Sequence, residues 1–84
     1  MELLKAYCHT DQTLESCDAP IECREIAIQA SPYVLRQLAD FLLRAADKFD
    51  ENPDIGPDHF HFRDEWENWN AECVDVVAVP HNSV

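Results

Sequence analysis

Eighty-four residues with six Lys or Arg against seventeen Asp or Glu, a net charge of −11, read as one small acidic domain over residues 1–84. A chain this short buries only about 60% of the surface its unfolded form exposes, which allows one modest core and no deep cavity. Charge of this sign disfavours nucleic acid and anionic membrane as partners and favours a basic protein, whose approach it would steer.

Residues 2–8 are expected to form a first strand, with Leu4, Ala6 and Cys8 on one face and Lys5 and Tyr7 on the other. Met1 to Lys5 include an acid and no long apolar stretch, which points to a cytoplasmic location. No run approaches the roughly 20 apolar residues of a membrane span. Residues 9–20 are polar and acidic and read as a loop. Residues 21–30 are expected to form a second strand, in which Ile26, Ile28 and Ala30 alternate with Glu25, Ala27 and Gln29. The four cysteines lack C-x-x-C spacing and are expected as free thiols. Cys8, Cys23 and Cys73 fall in predicted strands, and Cys17 in the loop.

A helix starts at Ser31, a good N-cap, with Pro32 in the first helical position. Leu35, Leu38, Ala39, Leu42, Ala46 and Phe49 recur at three- and four-residue spacing and are expected to face the core. Arg36, Asp40, Arg44 and Asp47 take the opposite side. Val34, Phe41 and Ala45 form an apolar flank that would either widen the contact with a sheet or serve a homodimer or partner surface. Asn52-Pro53 ends the helix. The only glycine, Gly56, lies in the following acidic loop, so Gly-rich phosphate cradles and nucleophile elbows are excluded.

Residues 58–63 are expected as a third strand and 73–79 as a fourth. The order is β-β-α-β-β, an α+β fold with a four-stranded, largely antiparallel sheet and one helix packed on one face. The two-residue period of a strand turns Phe60 and Phe62 to the helix and His59, His61 and Arg63 away from it. Val74, Val76 and Ala78 would face the core, with Asp75, Val77 and Val79 outward. If Arg63 opposes Cys73, then His61 opposes Asp75 and His59 opposes Val77, which places a histidine beside a carboxylate on an open sheet face.

Three readings compete for this face. His59 and His61 with nearby Asp58, Asp64 or Asp75 could ligate zinc, but H-x-H without further ligand spacing is a weak signal. A His61–Asp75 acid–base dyad would lack an obvious nucleophile, oxyanion donors and a pocket. The third reading is a recognition surface, or plain solvated strand polarity. Trp66 and Trp69, spaced i,i+3 among Asp64, Glu65, Glu67 and Glu72, strengthen recognition, because tryptophan inside an acidic rim suits a basic partner. The alternative for the tryptophans is that one or both fold back to close the edge of the core.

The Ser-Pro helix start, the Leu/Ala-rich helix, the Asp58-His59-Phe60-His61 and Arg63-Asp64-Glu65-Trp66 segments and the Val74 to Val79 run together resemble a family of small bacterial immunity proteins of polymorphic toxin systems. The resemblance runs from about Ile26 to Val79, some two-thirds of the chain. It implies an α+β fold and a role in neutralising a toxin encoded alongside. Asp58, His59, His61, Arg63, Asp64 and Trp66 carry the family pattern. The partner-binding surface expected from these readings comprises His59, His61, Arg63, Asp64, Trp66, Trp69 and Asp75, with no catalytic residue, no metal and no cofactor. A metal- or small-ligand module on the His59/His61 face, or an adaptor subunit, is the alternative.

Overall fold

The computed structural model describes residues 3–52 and 59–81. Its element order is β1 (Ala6–Cys8), α1 (Asp11–Glu15), β2 (Ile21–Cys23), α2 (Pro32–Glu51), β3 (Phe60–His61), α3 (Phe62–Glu65) and β4 (Val77–Ala78). The α+β class holds, but the single four-stranded sheet does not. β1 pairs antiparallel with β2, β3 pairs antiparallel with β4, and the two pairs are separate two-stranded sheets.

The strands are shorter than the alternation predicted. Helix α1 interrupts what reads as loop. Thr10 and Thr13 cap each other reciprocally, the Thr13 N–H donating to the Thr10 hydroxyl at 3.2 Å and the Thr10 N–H to the Thr13 hydroxyl at 2.8 Å. The helix closes with the Asp18 N–H on the Thr13 carbonyl and the Cys17 N–H on that of Leu14, which puts Cys17 at φ 58°. Beyond Cys23 the predicted second strand has no regular structure, and Ile26 and Ile28 are exposed.

Helix α2 begins as expected. Ser31 caps it by accepting from the Val34 N–H at 3.2 Å, Pro32 opens it, and the Asn52 N–H donates to the Lys48 carbonyl at its end. Its buried face is the correction. Leu38, Phe41 and Ala45 are buried, with Val34 and Phe49 half-buried beside them, whereas Leu35, Ala39, Leu42 and Ala46 are exposed. The stripe assigned to the core is rotated off it, and the flank is the core face. Phe41, fully enclosed at 0% exposure, is therefore no homodimer contact.

Among the described residues the buried hydrophobic side chains of the core are Leu38, Phe41, Ala45 and Phe62, and Phe60, Trp66, Trp69, Val76 and Ala78 pack against the Leu38, Phe41 and Phe62 cluster. All of them come from α2 and the chain beyond. None of the described residues 3–37 is buried.

Candidate functional site

Phe60 and Phe62 both turn inward, as expected. The Phe62 ring lies 5.4 Å from that of Phe41, and the Phe60 ring 5.4 Å from that of Phe49. The Lys48 ammonium sits 4.6 Å over the Phe60 ring. The chain does not continue as a strand past His61. It turns into α3, whose four residues end at Glu65, and the N–H of the C-cap residue Trp66 donates to the Phe62 carbonyl. Phe62 and Trp66 are thus i,i+4 neighbours, and their rings stack at 5.2 Å with 10° between planes. Phe60-x-Phe62 satisfies a strand period while Phe62-x-x-x-Trp66 satisfies a helical one, and the switch falls between them.

The register differs from the expected one. Phe60 faces Ala78 and His61 faces Val77, and the Phe62 N–H extends the ladder to the Val76 carbonyl at 2.8 Å. This is a shift of two residues, so side-chain facing is preserved. The histidine–carboxylate contact forms all the same, on the diagonal: His61 Nδ1 lies 2.6 Å from Asp75 Oδ2. The other oxygen of Asp75 accepts the backbone N–H of Arg63 at 3.0 Å, and the Arg63 Nε lies 3.8 Å from Oδ2. One half-buried carboxylate therefore fixes the end of β3 and the start of α3.

Around this knot the remaining groups divide. His59, Arg63 and Asp64 are exposed, and the His59 ring meets His61 edge-on at 4.9 Å. Arg63 also lies 3.8 Å from Asp64. Trp66 and Trp69 are half-buried and pack on the core. The Trp69 indole N–H donates to the Val74 carbonyl at 3.1 Å, whereas the buried Trp66 Nε1 has no hydrogen-bond partner among the described residues. Both tryptophans thus fold back toward the core edge and keep only part of their surface for solvent. Val76 and Ala78 face the core and Val77 and Val79 face out, as expected, but Val74 is exposed. Asp58 and most of the acidic loop at 50–58 lie outside the described residues.

Several contributors are not visible in sequence spacing. Glu65 receives Arg44 at 3.5 Å and Lys48 at 4.0 Å, tying α3 to α2. Tyr33, at the start of α2, brings its ring to 6.4 Å from Trp66 and its hydroxyl to 3.4 Å from Asn68. These are long-range contacts that no local period encodes. Among the described residues no three His, Cys, Asp or Glu come together as metal ligands would. Among them, too, no helix is long and apolar enough to cross a membrane.

A family model described as Immunity protein 32 matches residues 25–81. The match takes in α2, β3, α3, β4 and all seven candidate residues, and leaves out β1, α1 and β2. Comparison with curated proteins and with solved structures gave no match.

Proposed function

The chain belongs to the Immunity protein 32 family, and from that premise we propose that it is a non-catalytic inhibitor that binds a cognate bacterial toxin through the β3–α3–β4 face. The observation that carries the reading is the way this segment alternates anchors with presented groups. Phe60 and Phe62 enter the core and Trp66 packs on its edge, while His59, just before them, and Arg63 and Asp64, between Phe62 and Trp66, are exposed. Asp75 clamps His61 and the Arg63 backbone in place. Groups held in this way lose little conformational entropy on binding, which is how a small surface gains affinity.

The mechanism has two parts. The charge of −11 draws a basic toxin in. The outward faces of His59, His61, Arg63, Asp64 and Asp75 then set specificity, and the accessible edges of Trp66 and Trp69 supply apolar burial. Blocking follows from occupying the toxin's working surface; no chemistry on the toxin is required.

The test begins with capture of the partner from the native host at low salt. The captured protein is then expressed alone and together with this chain. Growth arrest by the partner alone, relieved by the chain and restored by the pair Arg63→Ala and Asp64→Ala, supports the proposal. A captured protein that is harmless alone, or whose toxicity the chain leaves untouched, overturns it.

A further inference from the structure

The N-terminal hairpin contains a feature that lies outside the proposed toxin-binding face. β1 and β2 pair with Ala6 opposite Cys23 and Cys8 opposite Ile21, so Cys8 and Cys23 are diagonal neighbours on one face. Their Sγ atoms lie 2.7 Å apart, close enough that a small adjustment would bring them to bonding distance. This hairpin has only three residues in each strand, and none of the described residues 3–37 is buried. An isolated two-stranded hairpin is marginal in water, and small domains with little core commonly rely on a staple.

We propose that Cys8 and Cys23 are a redox-controlled clip, which closes as an intrachain disulfide and opens as a dithiol. The oxidant is a low-molecular-weight disulfide. The thiolate of one cysteine attacks one sulfur of that disulfide, forming a mixed disulfide and expelling one small thiolate. The second cysteine thiolate attacks the Sγ of the first cysteine in that mixed disulfide and expels the other small thiolate. One S–S bond forms in the protein as one is consumed. The two cysteines lose two electrons, and the two small thiolates take up the two protons released. The hydrogen bond with Cys8 pushes the Cys23 thiol up, and desolvation and the charge of Cys8 act in the same direction. Because the thiolate is the nucleophile, closure speeds up as pH rises. Closing the loop from residue 8 to residue 23 removes freedom from the unfolded hairpin and so holds β1, α1 and β2 together. Cys17 is exposed on the turn after α1, and Cys73 belongs to the other half of the chain, so neither shares this geometry.

The experiment uses the full chain, fully reduced and then freed of reductant, with glutathione disulfide as the probe at mildly alkaline pH. The expected result is a fall from four titratable thiols to two, loss of the mass of two hydrogens with no glutathione retained, and a peptide map joining Cys8 to Cys23. Amide exchange in residues 6–23 should slow on closure and return to its starting rate with dithiothreitol. The double variant Cys17→Ser, Cys73→Ser should close in the same way. Four retained thiols, persistent glutathione on Cys8 or Cys23, bonds to Cys17 or Cys73, or closure without any change in hairpin exchange would each overturn the proposal.

Discussion

Asp75 Oδ2 lies 2.6 Å from His61 Nδ1, across the β3–β4 pair and one diagonal step from the direct partner of His61. The same carboxylate accepts the Arg63 backbone N–H at 3.0 Å. It therefore acts at the point where strand gives way to helix, and its loss should reach the whole presented segment.

Asp75→Ala removes both contacts and should lower stability by about 1.5–3 kcal/mol, toward the lower end because Arg63 is open to solvent. Asp75→Asn keeps an oxygen for the Arg63 N–H and gives up the carboxylate's contacts with the His61 ring and the Arg63 guanidinium, so it should cost less. Urea unfolding of the two variants checks this. Equal losses would mean that the backbone contact contributes nothing.

The rotation of α2 makes a sharp contrast between neighbours. Phe41 is wholly enclosed, while Leu42 is 44% exposed. Phe41→Ala should cost about 3–5 kcal/mol, or prevent folding outright. Leu42→Ala should cost under about 1 kcal/mol, within the range of surface changes. Denaturant midpoints of the pair decide which stripe is the core; a larger loss at Leu42 would restore the face that leucine spacing favours.

What could be read from the sequence follows from the range of the forces involved. Ser31 and Pro32 fix the start of α2 through contacts within one turn, so sequence alone locates it. The inward turn of Phe60 and Phe62 is likewise local. The core face of α2 is not local. The stripe of Leu35, Leu42 and Ala46 and the stripe of Phe41 and Ala45 both include Leu38 and differ by a modest rotation. Only the position of Phe62 selects between them. The four-stranded sheet fails for the same reason, since alternation from Ile21 to Ala30 says that the segment can be a strand but not which edge will receive it. At the candidate site, the pairing of His61 with Asp75 was legible because a two-residue register shift preserves facing. The Tyr33–Trp66 and Arg44–Glu65 contacts were not, because they join elements far apart in the chain.

Cys17 occupies the left-handed region at φ 58° in the closing turn of α1, a position that glycine takes without the Cβ penalty. Cys17→Gly should therefore stabilise the α1 turn by about 1 kcal/mol, visible as slower amide exchange at Asp18, whose N–H closes the motif on the Thr13 carbonyl. Faster exchange at Asp18 would show that the turn does not adopt this geometry in solution.

Trp66 combines a ring stacked on Phe62 with a buried indole N–H that has no partner among the described residues. Replacing it by phenylalanine keeps a ring and removes the unsatisfied donor, so Trp66→Phe should hold stability within about 1 kcal/mol. Trp66→Ala forfeits the stack and should cost about 3 kcal/mol or more. Thermal unfolding of both separates the ring from the N–H. A Trp66→Phe variant as damaged as Trp66→Ala would mean that the indole N–H has an acceptor after all.

The steering component of the proposed function is separable from the contact component by rate. Charges outside the contact act on encounter and are screened over about 8–10 Å at ordinary salt, whereas groups packed in the interface act on escape. The on-rate for the captured toxin should therefore fall as salt rises, while the off-rate changes little. Glu67→Gln, an exposed carboxylate beside the site, should lower the on-rate and leave the off-rate near its starting value. Arg63→Ala should do the reverse, raising the off-rate, because its side chain stands on the presented segment itself. Surface-binding kinetics across a salt series read both. A salt-independent on-rate would remove the acidic charge from the mechanism while leaving the contact face to be judged by the Arg63 variant alone.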